Sequence, residues 1–187
     1  MRCRYADDVV VACRFQDAAE RFDQVLPKRL GTFGLDVAPE KTHVLRLSRF
    51  HPSMKRRWTF LGFERYGFPD RHGARRVKHR TSRKKLQDAC RRIKEWIKAN
   101  RHLKGQQCIQ ERNWRLQGHD NSDGLRGNRA SLSRVYTWAK QCAFTWLNRR
   151  GGKRKSFTWK AFERALDRVG RALPKMTEVK RQHVVYA

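Results

Sequence analysis

The stretch RCRYADDVVVACR, residues 2–14, decides how the first half of this chain is read. Two carboxylates, Asp7 and Asp8, stand side by side between Tyr5-Ala6 and the run Val9-Val10-Val11. Valine favours the extended backbone and aspartate is at home in turns. The stretch therefore predicts strand, tight turn, strand from Arg2 to Arg14. Adjacent carboxylates repel, and both stay ionised cheaply only beside a counter-charge. Magnesium is a hard cation that takes oxygen ligands, often one or two carboxylates plus substrate phosphates. Taken alone, the pair reads first as an exposed turn compensated by Arg4 and Arg14.

Composition narrows the setting. The chain has 187 residues with 45 Lys+Arg against 17 Asp+Glu, a formal charge of +28. Hydrophobic residues make up 39%, with 6 Trp and 10 Phe, which is enough for a core. Its length suits one domain or two small ones. So large an excess of positive charge opposes compaction, and a polyanion relieves it. Nucleic acid is the expected partner, because Lys and Arg that neutralise phosphates release condensed counterions. No apolar run approaches the roughly 20 residues that span a bilayer, so no membrane is expected. The 5 Cys are scattered without a Cys-x-x-Cys pair, which points to free thiols.

Outward from the hairpin, a helix is expected from Asp17. It carries Phe22, Val25, Leu26, Leu30 and Phe33, is bent or split at Pro27, and stops at Gly34. A turn at Pro39-Glu40-Lys41-Thr42 and a short strand over residues 44–47 follow. Residues 58–68 predict a hairpin around FLGFERYGF, with Gly62 inside the strand. Residues 71–83 read as a basic linker. Beyond it the pattern is helical: one helix capped by Ser82, a short one around Ile109, Trp114 and Leu116, one through Leu132 to Leu147, and a last one capped by Thr158. GHDNSDGLRGN, Gly118 to Asn128, reads as a loop. The five tryptophans Trp96, Trp114, Trp138, Trp146 and Trp159 read as helix-packing core. The expected class is α+β, mixed up to Pro69 (residues 1–69) and all helix after it (residues 70–187).

The motifs also fall in a recognisable order. Tyr5-Ala6-Asp7-Asp8, then FGLDVAPEKTHVLRLS (residues 33–48), then FLGF at Phe60 to Phe63 resemble the palm of group II intron reverse transcriptases. WRLQGH (residues 114–119) and GNRASLSRVYTWAKQCAFTWLNRRGGKRKSFTWKAFERAL (residues 127–166) are similar to the thumb, or maturase-specific domain X, of the same family. The resemblance implies a partial palm over 1–69 and a helical thumb/domain X over 70–187. It implies an RNA-directed DNA polymerase family that also binds intron RNA to assist splicing, in the cytoplasm of a bacterium or an organellar matrix. By the same resemblance, Asp7 and Asp8 are magnesium ligands, with Asp7 the stronger. Tyr5 and Ala6 line the floor under the incoming nucleotide. Lys41 approaches the nucleotide phosphates, where an ammonium can offset developing charge, or is a solvated turn lysine. Phe60, Leu61, Gly62 and Phe63 form a primer grip, or pack palm on thumb, or both.

Departures from the family set further expectations. The family's other metal-binding aspartate and its fingers would precede Met1, so the isolated chain is expected to lack polymerase activity. A separate chain supplying those parts is one partner the resemblance allows. Asp120, Ser122 and Asp123 stand where the family shows tyrosines, and negative charge there is expected to repel phosphate. No endonuclease-like cysteine or histidine pattern follows LPKM at residues 173–176. Contacts to template RNA, primer DNA or intron RNA are expected from Arg83, Lys84, Lys85, Arg91, Arg92, Lys94, Arg149, Arg150, Lys153 and Arg154, since a solvated face normally mixes signs and these do not. The other reading of the same charge is a non-catalytic basic RNA-binding module with a vestigial aspartate pair. Half a palm would leave an unpaired sheet edge, so poor solubility of the isolated chain is also expected.

Overall fold

A computed structural model describes residues 1–46, 56–69, 72–73, 75–149 and 157–177. The fold is α+β, with five α-helices and two small sheets among the described residues. The chain forms two compact units, Met1–His79 and Arg80–Ala187; the composition shift lies ten residues earlier, at Pro69.

In the first unit, β1 (Arg2–Tyr5) and β2 (Asp8–Val11) form an antiparallel hairpin in the register Arg2↔Val11, Cys3↔Val10, Arg4↔Val9 and Tyr5↔Asp8. The ladder extends outward through Met1 and Ala12, whose backbones bond in both directions at 3.0 and 2.8 Å. Helix α1 follows as Gln16–Gly31, with Phe15 at its N-cap and no side-chain cap bond. Asp17 thus lies inside the first turn instead of capping it. The helix runs continuously through Pro27, so the expected split does not occur. Its end is a Schellman closure: Gly34 has φ +68°, its N–H donates to Gly31 O, and Leu35 N–H donates to Leu30 O. No residue of α1 is buried.

Pro39–Lys41 is a 3-10 turn. Residues 42–46 pair with no strand, so the short strand expected over 44–47 is absent as far as Arg46; residue 47 is outside the described residues. Strand β3 (Arg57–Phe60) turns antiparallel into β4 (Phe63–Pro69), with Phe60 opposite Phe63. Gly62 is in the turn, not in the strand. Leu61 and Gly62 have φ +54° and +76°, the pattern of a type I′ turn, whose twist matches that of the flanking strands. Strand β5 (Arg75–Thr81) lies along the other side of β4, giving the order β3-β4-β5. The expected linker over 71–83 is therefore largely a strand. Charged residues at alternate positions suit an edge strand, where they discourage pairing with another chain.

The second unit is helical: α2 (Arg83–Ala99), α3 (Gly105–Asp123), α4 (Arg129–Asn148) and α5 (Trp159–Val169). Ser82 and Thr158 cap α2 and α5 as their side chains promise, each accepting from the backbone N–H three residues on at 3.3 Å. The core gathers Ile93 and Ile97 of α2, Cys108, Ile109 and Leu116 of α3, Val135, Ala139, Ala143 and Leu147 of α4, and Phe162 and Leu166 of α5. The loop expected over 118–128 is a helix as far as Asp123. Its core-facing stripe carries Arg112, Asn113, Asp120 and Asp123 beside Leu116, so an apolar period does not mark it. No helix among the described residues is long and apolar enough to cross a membrane.

Candidate functional site

The first candidate is the carboxylate hairpin. A two-residue turn, Ala6-Asp7, holds Asp7 at its tip and sets Asp8 opposite Tyr5. Ala6 adopts φ +49°, a left-handed conformation that costs a residue with a Cβ roughly 1–2 kcal/mol. Arg4 Nε donates to Ala6 O at 3.0 Å across the turn. Tyr5, Ala6, Asp7 and Asp8 are all exposed. Two exposed carboxylates are hard oxygen donors of the kind magnesium takes together with phosphates and water. No group of three or more His, Cys, Asp or Glu poised for a metal occurs among the described residues.

The other palm expectations fall on separate pieces. Lys41 is exposed at the end of its 3-10 turn. Phe60 and Phe63 are buried, each 6% exposed, while Leu61 sits outward at the turn. The guanidinium of Arg65 lies 5.2 Å from the Phe60 ring centroid, and His79 meets Phe63 edge-on at 6.2 Å. Both phenylalanines are buried, with Arg65 and His79 of the same unit against their rings. Each hairpin is held by its own ladder, and α1 packs extensively on no other described element.

The basic candidates divide by environment. Arg83, Lys84, Arg92 and Lys94 are exposed on α2. Arg91 is exposed and pairs with Asp88 at 2.8 Å. Lys85 instead turns inward and binds the fully buried Asp123 at 2.8 Å. Arg149 lies 5.2 Å from the Trp146 ring, which also draws Lys98 and Arg101 to 5.7 and 5.9 Å. Arg150, Lys153 and Arg154 lie outside the described residues. The tryptophans do not all serve as core: Trp114, Trp138 and Trp159 are exposed, and Trp96 and Trp146 are half-buried. Cations cover several of them, Arg115 over Trp96 at 4.5 Å and Lys140 over Trp159 at 4.9 Å. Such pairs hold aromatic and basic groups together at the surface, the combination that binds bases and phosphates.

Asp120 and Asp123, expected to repel phosphate, do not line the surface. Both are buried. Asp123 accepts from Lys85 Nζ, from Ser122 Oγ at 2.8 Å and from Thr81 Oγ1 at 3.0 Å. Asn128 closes the cluster, donating to Thr81 Oγ1 and Asp123 O at 2.8 Å and accepting from Thr81 N–H at 2.9 Å. Burial pushes the Asp123 carboxyl up, but the hydrogen bonds from Lys85 and Ser122 and the Lys85 charge outweigh it, leaving it below its ordinary value. Asp120 accepts from Tyr136 Oη and from Lys175 N–H, and its backbone carbonyl accepts from Thr177 Oγ1. These carboxylates anchor the chain on both sides of α3. The helical spacing 116, 120, 123 around Leu116 is the signal that places them inward.

No known protein family, curated protein or solved structure matches this chain.

Proposed function

We infer that the chain is part of a reverse transcriptase of the kind encoded by group II introns, a magnesium-dependent, RNA-directed DNA polymerase that also binds intron RNA to assist splicing. The carrying observation is the tight hairpin that presents Asp7 at its tip and Asp8 opposite Tyr5. The ordered residues 33–48 and 60–63 behind it support the same reading. Asp7 and Asp8 would hold magnesium, which offsets charge on the reacting phosphate oxygens when bound. Tyr5 and Ala6 would floor the nucleotide site, and Lys41 would face its phosphates. Residues 1–187 supply two carboxylates on this hairpin, and the family's remaining ligand and fingers would come from outside them. The positive surface of α2 and the end of α4 would hold RNA.

A primer-extension assay with magnesium and all four nucleotides tests the catalytic part. Residues 1–187 alone are expected to be silent. With the missing palm and fingers supplied, synthesis appears and Asp7→Ala abolishes it. Synthesis that survives Asp7→Ala refutes the assignment.

A second reading is a non-catalytic RNA-binding module. The closed core of the helical unit and its cation-covered tryptophans favour it. Under this reading Asp7→Ala leaves RNA affinity unchanged and no added segment restores synthesis. Under both readings RNA binding weakens steeply with salt, and a flat response refutes both.

A further inference from the structure

Helices α2 and α4 run side by side in the same direction. Thr81 and Asn128 bond where the two helices start, Trp138 Nε1–H donates to Cys90 O at 3.3 Å, and Lys98 meets the Trp146 ring at 5.7 Å. A near-constant sequence offset between partners is the mark of a parallel pair. The bond to Cys90 tethers the Trp138 indole to this seam, yet the residue stays 40% exposed. Trp146 and Trp159 have cations over their rings. Among the described residues, no cation or second ring lies against Trp138. A shallow cleft of about 280 Å³ opens beside it, lined by Ser133, Arg134, Thr137, Trp138 and Gln141. That is at the low end for small-ligand pockets, so one planar group fills it. Arg134 is exposed one turn before Trp138 and pairs with nothing among the described residues. Lys94 of α2 is exposed as well. Burial pushes the Cys142 thiol up and the Lys94 charge pulls it back, which sets that ammonium near the turn after Trp138. Helix α4 contains no acid, and Asp88 of α2 is already paired with Arg91.

We propose that this cleft holds one unpaired nucleotide of a single-stranded RNA, its base stacked on Trp138 and its phosphates met by Arg134 and Lys94. A ring held in place by its own N–H offers a base a π-face at little ordering cost. A base inside a duplex is stacked on both sides by its neighbours, so a duplex gains nothing from Trp138. Cations before and after the ring, with no acid on α4, complement a phosphate backbone. They disfavour an apolar protein segment, which would bury them unpaired. Ser133, Thr137 and Gln141 supply two hydroxyls and an amide to a base edge or to the ribose 2′-hydroxyl, which favours RNA over DNA. The site rests on the nucleic-acid reading of the chain's charge, but not on catalysis.

The test is fluorescence anisotropy of the full chain with a short single-stranded RNA, the same sequence as DNA, and a blunt RNA duplex. The wild-type chain should bind the single-stranded RNA more tightly than the DNA. Trp138→Leu keeps apolar bulk at the seam and removes the ring. It should weaken single-stranded RNA about fivefold or more and leave the duplex unchanged. Trp138→Phe restores a stacking face without the bond to Cys90 and should recover part of that loss. Equal losses on single strand and duplex, no loss on single strand, or no recovery with phenylalanine overturn the proposal. DNA bound as tightly as RNA overturns the assignment of the ribose. A wild-type chain that binds none of the probes overturns the nucleic-acid reading too, whereas binding that ignores Trp138 overturns this site alone. If Trp138→Leu does not fold, Arg134→Gln carries the test. It should lower the salt slope on single-stranded RNA by about one phosphate contact, and an unchanged slope overturns the proposal.

Discussion

Replacing Asp123 by alanine tests the polar heart of the helical unit. Its carboxylate is fully buried and accepts three hydrogen bonds, from Lys85 Nζ, Ser122 Oγ and Thr81 Oγ1. A hydrogen bond to a charged group contributes about 1.5–3 kcal/mol net. Alanine also leaves the buried Thr81 hydroxyl without its acceptor and the Lys85 ammonium without its partner. Because Lys85 keeps 30% of its side chain exposed, it relaxes toward water, which trims the full cost of breaking a buried pair. The expected loss is about 3 kcal/mol, a large part of the 5–15 kcal/mol that holds an ordinary domain. Asp123→Asn keeps one acceptor and should lose about half as much. The sign of the pH dependence follows from the depressed carboxyl. A folded pKa below the unfolded value stabilises above the unfolded pKa, and that contribution fades as the pH falls below about 4. Urea unfolding followed by circular dichroism at pH 7 and pH 3 measures both. A loss under about 0.5 kcal/mol at pH 7, or an equal loss at both pH values, refutes the role given to Asp123.

Four further outcomes are expected. Gly118 lies in the exposed middle of α3 with open space around a would-be Cβ, so Gly118→Ala should stabilise by about 1 kcal/mol in thermal unfolding. Gly124 differs: a Cβ there meets Asp120 O, Thr177 Oγ1 and Thr177 N, so Gly124→Ala should cost about 1–3 kcal/mol and speed amide exchange at Thr177. If both changes stabilise, the helix end is misplaced. Tyr136→Phe removes the donor to Asp120, whose Oδ1 already has no partner among the described residues, and should cost about 1–3 kcal/mol. Burial and the Asp120 carboxylate hold the Tyr136 phenol above its ordinary value. Its contribution is present below about pH 10 and lost above it, and the variant should lose that alkaline dependence in denaturant titrations. Leu61→Asn suits the left-handed turn position and should stabilise the chain slightly, by about 0.5–1 kcal/mol in thermal unfolding; a loss of stability refutes the turn assignment.

Local chemistry was legible where it acts over a few residues. Aspartates in a turn ahead of a valine run gave the first hairpin, Ser82 and Thr158 gave helix starts, and Gly34 gave the helix end. Each rests on one backbone group and one side chain. The second hairpin was legible in place but not in detail, because FLGF reads as strand until Leu61 and Gly62 adopt positive φ together. Strand β5 was missed because its charge resembles a linker; the alternation that makes it a strand is visible only beside Phe63 and Phe68.

The stretch from Gly118 to Asp123 shows why the candidate site was only half legible. Its Gly, Asn, Ser and Asp content favours a loop on local grounds. The helix forms anyway, because Thr81, Lys85, Tyr136 and Lys175 supply partners to its carboxylates from distant positions in the chain. None of those partners is adjacent in sequence, so no local pattern reveals them. The same limit applies to charge. Counting residues makes Lys85 equal to Lys84, yet one neutralises a buried aspartate and the other faces solvent. A net +28 suits a polyanionic partner, while pairing decides which cations face solvent. By that criterion, the exposed Arg83, Lys84, Arg92 and Lys94 on α2 are the cations that would carry the proposed contacts to phosphate. Asp120 and Asp123 are instead buried inside the helical unit.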